Sequence, residues 1–360
     1  MQRRQFLSLA LLAEAGCRRV SPQPALARAA DFLWSSQASD GGWHSRTYGL
    51  LRSGQSLTPF VLNALLRVPV EAHPLPWARV NRVIDFILGN TATNGAVGMS
   101  EPELPDYPNF ATALSVSALC RARHDGWEKR IAPMVAYLRS QQFTQRNGWN
   151  QADPAFGAWG MGGEVRTPPD TGHVDLSMTR HVLEALRAAG VAAGDPALQA
   201  ARIFVPRCQN LDGGFFFSTT EFDTNKAGQA GEQYRSYGTT GADGVLSLIA
   251  TGHAPDSLRV AAASRWLSKN HQGMSVPGFV GPAYDRWPRG LAFYYAAACT
   301  AAFRSVGVSP GLAIVQELER TQRADGSWAN LENLVKEDDP LLATPFAVHA
   351  LSMFSRTAQA

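Results

Sequence analysis

Two acidic loop segments hold the side chains of this chain that are best suited to acid–base chemistry. Glu337, Asp338 and Asp339 stand together before an apolar segment, and Glu101 and Asp106 lie in a Pro-rich stretch. Paired carboxylates can act as general acid and general base, or they can bind a cation. Acidic residues before a helix are also favoured by the helix dipole alone, and a solvated loop is the simpler interpretation of 101–106.

A histidine and an aspartate, His173 and Asp175, lie two residues apart where an apolar helical segment begins. One Asp beside one His favours an ion pair, which keeps the carboxyl group ionised. Asp is also a preferred residue at the start of a helix, where it accepts a hydrogen bond from a free backbone N–H. A capping role and a chemical role are therefore both open for Asp175, and His173 is either a loop residue or its partner.

Aromatic side chains recur in the segments that flank the later loops. Together they could line a pocket for an apolar chain or stack on sugar rings, although each one alone is more often part of a core. The six candidates for substrate binding are Tyr234, Tyr237, Tyr284, Trp287, Tyr294 and Tyr295. Arg235 and Arg286 are candidates for contacting an anionic head group of the same ligand.

Composition and motifs argue against several classes of function. A net charge of +3 over 360 residues, with no basic stripe, argues against a nucleic-acid partner. The chain has no Cys/His zinc pattern, phosphate-binding loop, nucleophile elbow or HExxH motif. We therefore expect no metal and no cofactor, and the cysteines in apolar segments are interpreted as free thiols.

One short pattern returns along the whole chain and must organise the elements that position these residues. It is seen in Gln37 to Trp43, Cys208 to Phe215, Thr321 to Trp328 and, less regularly, Gln141 to Trp149. Each copy has a Gln at a helix end, a polar turn with Gly, and then a large aromatic residue. Glycine permits the positive φ that ends a helix. A unit of this kind cannot bury its apolar face alone, so several must stack.

After each such joint comes a polar loop and a second helix with its own signature. Residues 58–65 (TPFVLNAL) match 344–351 (TPFAVHAL) nearly position for position. The sequence predicts twelve helices in six pairs, which is enough to close a ring. The predicted fold is therefore all-α, an (α/α)6 toroid over residues 24–360. All the long loops precede inner helices, so they meet at one mouth, where we expect the site.

The N-terminus has the features of an export segment. Residues 1–17 place Arg3 and Arg4 before a short apolar run, as a twin-arginine signal does, and 18–23 is a linker. Cys17 follows Ala15-Gly16, as in a lipoprotein signal, and is the predicted lipid attachment site. We expect an exported protein in the periplasm or cell envelope, with membrane contact only through this N-terminal anchor.

The repeated joints resemble the Gln-Trp motifs of the terpenoid cyclase and protein prenyltransferase superfamily. QASDGGW, CQNLDGGF and TQRADGSW look like repeats of the squalene-cyclase C-terminal type, and the resemblance covers most of 24–355. Single-barrel bacterial proteins with prenyltransferase and squalene-oxidase repeats are similar, including at Arg235-Ser-Tyr-Gly238 and Asp175-Leu-Ser177. The resemblance implies an isoprenoid lipid as ligand.

The same resemblance implies a role for Asp175. Cyclases of this superfamily carry Asp-x-Asp-Asp at the start of an inner helix, and His173-Val-Asp-Leu176 matches that stretch. Asp175 falls on the middle Asp, the general acid of the family, whereas His173 and Leu176 replace the other two carboxylates. The implied activity is that of a terpene cyclase or mutase, an isomerase.

Three hypotheses remain open at this point. The first is a cyclase-like protein acting on an isoprenoid, with Asp175 as proton donor and His173 beside it. The second is a non-catalytic toroid that binds a lipid or a protein at its mouth. The third is a carbohydrate-active toroid that uses mouth carboxylates such as Asp338, Asp339, Glu101 or Asp106. A deep aromatic pocket ending at Asp175 would favour the first, and paired carboxylates across a groove would favour the third.

Overall fold

The computed structural model describes residues 21–101, 103–123, 126–309 and 311–355. The predicted export signal and the predicted lipid attachment site, Cys17, lie outside the described residues and stay predictions. Within the described ranges, no helix has the length and apolar character needed to cross a bilayer.

The described chain is almost entirely helical, with one short β-hairpin. Its helices are α1 (Gln23–Ser35), α2 (Leu57–Leu65), α3 (Trp77–Gly89), α4 (Pro108–Ala122), α5 (Trp127–Ser140), α6 (Leu176–Ala188), α7 (Pro196–Phe204), α8 (Gly238–Ala250), α9 (Leu258–Asn270), α10 (Trp287–Gly290), α11 (Ala292–Ser305), α12 (Ala313–Thr321) and α13 (Pro340–Ser355). The hairpin pairs β1 (Gln229–Ala230) with β2 (Gln233–Tyr234) in antiparallel register. Apart from the single-turn α10, these helices are the twelve that the sequence predicts.

Six helices form a closed inner ring. Each of α2, α4, α6, α8, α11 and α13 packs on the next, and α13 returns to α2. The remaining long helices, α1, α3, α5, α7, α9 and α12, alternate with them along the chain. Burial differs accordingly: α3 buries one stripe (Val80, Val83, Ile84, Ile87), whereas α4 is buried on most of its surface. The predicted all-α toroid is confirmed.

The Gln of each joint ties neighbouring repeats together through its side-chain amide. Gln37 Nε2 donates to the carbonyl of Gly41 at 2.9 Å and to that of Arg79, in the next outer helix, at 3.3 Å. Gln322 Nε2 makes the equivalent bonds to Gly326 and to Ala25 of α1, both at 2.9 Å. Since Ala25 belongs to the first helix, the last joint closes the ring.

Where the aromatic residue of a joint is Trp, it caps the outer helix that precedes it. Trp43 Nε1 donates to the carbonyl of Leu33 at 2.7 Å, and its backbone N–H donates to Thr58 Oγ1 at 3.0 Å. Trp328 repeats this arrangement with Leu318 and Thr344. The recurring Thr at the start of the inner helices is thereby explained: it holds the backbone of the joint.

Glycine is required at two of these joints for both conformation and space. Gly41 and Gly326 have φ of 96° and 89°. A Cβ atom at either position would collide with a backbone carbonyl of the neighbouring outer helix, that of Arg82 or Arg28. Glycine is therefore needed at both positions, for the positive φ and for the close approach of the neighbouring outer helix.

The joint that follows α5, predicted at Gln141 to Trp149, differs from its prediction. Gln142, not Gln141, makes the two amide bonds, to Gly157 at 3.0 Å and Ala197 at 2.8 Å. Trp159, not Trp149, caps the outer helix by donating to Leu138 at 2.6 Å. Additional residues lie between Gln142 and Gly157 in this joint. They include Trp149, which stands about as far after the Gln in sequence as the joint Trp does in the other repeats.

Candidate functional site

A large cavity lies where the inner helices begin. Its volume is about 740 Å³, which is within the usual range of ligand pockets. Its lining is mostly apolar and comprises Tyr107, Phe110, Met161, His173, Asp175, Ser177, Met178, His181, Phe217, Asp223, Thr224, Asn225, Lys226, Tyr237, Thr239, Asp243, Tyr284, Trp287, Leu291, Tyr294, Val335, Glu337, Leu342 and Phe346. The cavity therefore lies at the mouth, where the loop pattern predicts a site.

Four of the six predicted aromatic residues line this cavity: Tyr237, Tyr284, Trp287 and Tyr294. Two of them belong to a short aromatic series. The Phe279 ring stacks on Trp287 with centroids 6.1 Å apart and planes 7° apart, and it lies 5.3 Å from the Tyr237 ring. This side of the cavity presents aromatic faces and edges, which can contact an apolar chain or stabilise a cation.

The other two predicted aromatic residues, Tyr234 and Tyr295, lie outside the cavity lining. Tyr295 follows Tyr294 on α11, so it points about 100° further round the helix, and its hydroxyl is 3.0 Å from His271 Nδ1. Tyr234 is in the hairpin and stacks on Phe222, with centroids 5.5 Å apart and planes 8° apart. Neither residue lines this cavity, and their predicted role in substrate binding stays a prediction.

Asp175 and His173 are in direct contact at the cavity wall. Asp175 precedes α6, and its Oδ1 accepts the N–H of Met178 at 2.6 Å, as expected for a helix cap. Its Oδ2 lies 2.8 Å from His173 Nε2, while His173 Nδ1 lies 2.7 Å from Glu221 Oε2. Capping and pairing with His173 therefore use different oxygens of the same carboxylate.

The two carboxylates favour the protonated form of His173. Burial alone would lower the pKa of His173, but the hydrogen bond and charge of Asp175, together with those of Glu221, raise it above the ordinary value of 6.5. Both ring nitrogens face a carboxylate oxygen, and only the imidazolium form can donate to both. We therefore describe this group as a carboxylate–imidazolium–carboxylate series.

A second buried carboxylate, Asp243 of α8, lies on another wall of the cavity. Its Oδ1 is 3.0 Å from Arg180 Nε, and Tyr294 donates its hydroxyl to both Asp243 oxygens at 2.9 Å. The Tyr294 hydroxyl is also 2.5 Å from Ser177 Oγ on α6. Burial raises the pKa of Asp243 to about 7, although Arg180 and Tyr294 act to lower it.

Sequence reasoning missed this second group, yet the sequence contains a signal for it. Asp243 lies within GTTGADG and Arg180 within TRHVLEAL, both in inner helices that are buried on most sides. A charged residue in a segment of that kind needs a partner, because an unpaired buried charge is very costly. The sequence does not reveal which two inner-helix charges face each other.

The carboxylates of the acidic loops serve separate structural partners. Glu337 accepts the N–H groups of Phe293 at 3.0 Å and Tyr294 at 2.8 Å, at the start of α11. Burial raises the pKa of Glu337 to about 7, against these hydrogen bonds. Asp339 accepts the N–H of Leu341 at 2.9 Å, in the first turn of α13.

None of Asp338, Asp339, Glu101 and Asp106, the candidates for carbohydrate chemistry, lines the cavity. Asp338 accepts the Tyr48 hydroxyl at 2.5 Å. Glu101 pairs with Arg52 in an exposed ion pair, and Asp106 accepts the N–H of Ser56 at 2.9 Å. These contacts do not form a pair of carboxylates across a groove.

Metal-ligand clusters are not found in the described ranges, where no group of three or more His, Cys, Asp or Glu side chains could hold a metal ion. The cysteines described there, Cys120, Cys208 and Cys299, are free thiols. The charged side chains in the cavity lining include those of Asp175, Asp243, Lys226 and Glu337.

No protein-family model matches the sequence, and no curated protein matches it either. Solved structures do match. A variant of the type II terpene cyclase MstE from Scytonema, in complex with its substrate geranylgeranyl dihydroxybenzoate, shares 15% identity and a TM-score of 0.58 over 93% of this chain and 97% of its own. D-mannose isomerase shares 10% identity and a TM-score of 0.57, over 93% and 97%. A glycosidase variant shares 14% identity and a TM-score of 0.53, over 93% and 98%.

These similarities extend over nearly the whole of each chain. The three proteins have different activities but share the α/α toroid with this chain. The comparison therefore establishes the fold, and the choice of reaction rests on the residues of the cavity.

Proposed function

We propose that this protein is a terpene-cyclase-like enzyme that binds a linear isoprenoid in the mouth cavity and starts its cyclisation by proton transfer from Asp175. The observation that carries the proposal is an aromatic, mostly apolar cavity of about 740 Å³ with Asp175 and His173 in its wall. The solved toroid with a geranylgeranyl substrate belongs to a type II terpene cyclase. We also propose that the joints are repeats of the squalene-cyclase type.

The contacts of Asp175 suit a proton donor to an alkene. Such a donor must be a strong acid, so its conjugate base must be stabilised before the proton leaves. The N–H of Met178 and the ring of His173 are already within hydrogen-bond distance of the two Asp175 oxygens. Negative charge that develops on Asp175 is therefore met by donors in place.

His173 can restore the proton. Its Nε2 lies 2.8 Å from Asp175 Oδ2, and its Nδ1 faces Glu221, whose side chain is about one-third exposed. A proton can move from Nε2 to Asp175 and then to the ligand, and solvent can reprotonate the series through Glu221. This role fits a side chain that titrates near neutral pH.

The proposed reaction balances as an isomerisation. The π electrons of one C=C bond take the proton of Asp175, which forms a C–H bond and leaves a carbocation on the other carbon. Neighbouring C=C bonds attack in turn and close rings, and the last cation loses a proton to water. Aromatic rings such as those of Trp287 and Tyr237 can stabilise the cations by cation–π interaction, worth up to about 2 kcal/mol each in a dry site.

The direct test is conversion of linear isoprenoids by the purified protein. Squalene, geranylgeraniol and geranylgeranyl dihydroxybenzoate are incubated with the protein, and products are separated by chromatography with mass detection. We expect a product of unchanged mass and altered retention from at least one of them, and none with Asp175→Asn. Equal conversion by Asp175→Asn would refute the assignment of Asp175, and binding without conversion would support a non-catalytic lipid-binding toroid.

A further inference from the structure

Lys226 places an ammonium group in the mouth cavity without an anion to pair with. Its Nζ lies 3.6 Å from the centroid of the Phe217 ring, and the residue is part of the cavity lining. Within the described ranges, no carboxylate lies within ion-pair distance of Nζ and no acceptor forms a hydrogen bond with it. Asp223, three residues earlier and exposed, does not pair with it either. An ammonium group carries three donors, so this one has donors to offer a ligand.

The loop holds Lys226 in place. Asn225 is buried, and its Oδ1 accepts the backbone N–H groups of Phe217 at 2.7 Å and Ser218 at 3.2 Å. Ala227, on the other side of Lys226, is also buried. Because both neighbours and the ring beneath the ammonium group are fixed by packing and these bonds, the side chain is positioned over the cavity.

Lys226 is partly buried, and its charge has no close counter-ion among the described residues. Burial lowers the pKa of Lys226, although the charges of Asp175 and Asp243 oppose the effect. A contact with an aromatic face compensates a buried cation only in part. Both of those carboxylates already have closer partners, His173 and Arg180. Neither carboxylate is therefore available as a close counter-ion, and the ammonium group of Lys226 can contact a ligand in the cavity.

The arginines predicted to bind an anionic head group do not fill this role. Arg286 pairs with Glu332 at 2.5 Å, and neither Arg235 nor Arg286 lines the cavity. Lys336, which is near the Tyr48 and Tyr107 rings, belongs to a smaller neighbouring cavity of about 170 Å³.

We propose that Lys226 binds the anionic head group, a carboxylate or a phosphate, of an isoprenoid whose apolar chain occupies the rest of the cavity. The proposal rests on the proposed function for the isoprenoid nature of the chain, and it adds the head group and the residue that selects it. A charge-assisted hydrogen bond from a lysine in an apolar site is strong enough to discriminate against the neutral alcohol.

Binding of matched ligands tests this assignment. The dissociation constants of geranylgeraniol, geranylgeranoic acid and geranylgeranyl monophosphate are measured by calorimetry, together with those of hexadecanol and palmitic acid. We expect the wild-type protein to bind one or both anionic geranylgeranyl ligands roughly 10- to 100-fold more tightly than the alcohol. Preference for the acid or for the phosphate identifies the head group.

Three variants separate the role of Lys226 from a structural one. Lys226→Met should lose the preference for the anion while binding geranylgeraniol as before, and Lys226→Arg should keep most of it. Lys336→Met is the matched control and should keep the wild-type preference. Equal affinity of the wild type for acid and alcohol, an equal loss of both in Lys226→Met, or loss of the preference in Lys336→Met would each overturn the assignment.

The saturated pair separates this proposal from the proposed function. If palmitic acid is preferred over hexadecanol in a Lys226-dependent manner and no isoprenoid binds, Lys226 keeps its role and the isoprenoid ligand is wrong. If the anionic isoprenoid binds through Lys226 and no cyclised product forms, the head-group site stands and the cyclase is wrong. Absence of binding for all five ligands overturns both.

Discussion

Two buried aspartates face the same cavity, and they differ in the cation that each one contacts. Asp175 lies 2.8 Å from His173, a residue whose proton can be gained and lost near neutral pH. Asp243 lies 3.0 Å from Arg180, whose guanidinium stays charged at any pH at which a protein is folded. Only the first pair can pass a proton from one member to the other.

The two pairs also differ in their access to solvent. His173 continues to Glu221, which is about one-third exposed, so the Asp175 group has a route to solvent. The Arg180 side chain is 6% exposed, and Tyr294 and Ser177 complete a network that joins α6, α8 and α11. We infer that the Asp175 group transfers protons and that the Asp243 group holds three inner helices together.

The largest effect should follow from removing the carboxyl group of Asp175. Asp175→Asn keeps an acceptor for the Met178 N–H, so the helix cap survives, but it removes the carboxyl group that passes the proton from His173 to the ligand. We expect turnover to fall by about 10²- to 10⁴-fold with little change in the free energy of unfolding. Product formation under single-turnover conditions measures this effect. A loss of stability without a specific loss of turnover would make Asp175 a structural residue.

Removal of Arg180 should instead reduce the stability of the fold. Arg180→Met leaves Asp243 buried without its cation, and breaking a buried pair in this way costs about 3–5 kcal/mol of unfolding free energy. Urea denaturation measures the loss. Glu184→Gln is the matched control, because Glu184 contacts the same arginine but is 39% exposed. It should cost less than about 1 kcal/mol, and an equal cost for both variants would contradict a buried pair at Asp243.

A smaller loss is expected from the tyrosine that connects the helices. Tyr294→Phe removes the hydroxyl that donates to Asp243 and contacts Ser177, but it keeps the aromatic ring in the cavity. We expect a loss of about 1–2 kcal/mol in unfolding free energy, with turnover reduced much less than in Asp175→Asn. A larger effect on turnover than on stability would give Tyr294 a role in the reaction.

The smallest predicted effect is a pH dependence of stability from His173. Because the folded state raises the pKa of His173 above 6.5, its contacts stabilise the fold fully below that pH, and this contribution is lost as pH rises through the raised pKa. Urea unfolding from about pH 6 to 9 should show the decline in the wild type. His173→Gln should show a smaller decline, because the raised pKa values of Asp243 and Glu337 also lower stability up to about pH 7. An unchanged decline in that variant would assign the whole effect to those other groups.

The fold could be predicted closely from the sequence because its joints are local. Gln37, Gly41, Trp43 and Thr58 lie within one repeat, and their types alone specify a helix end, a turn and the start of the next helix. The joint after α5 was the exception. Additional residues after Gln142 separate its Gln from its Gly, and they include a second Trp, Trp149.

The site could be predicted only in part, because its contacts join distant repeats. Asp175 and His173 were found as neighbours in sequence, and their contact is seen in the structure. The pairing of Asp243 with Arg180 and the position of Lys226 over Phe217 depend on how inner helices face each other and how one loop folds back. Residue types alone contain no information on that geometry.

The measurement that tests the central claim most directly is the mass of the product formed in heavy water. If Asp175 protonates a C=C bond with a proton exchanged through His173, each cyclised molecule should contain one deuterium bound to carbon at the position of that bond. A cyclised product with no deuterium on carbon would contradict proton-initiated cyclisation by this group, and Asp175 would then keep only its role as the cap of α6.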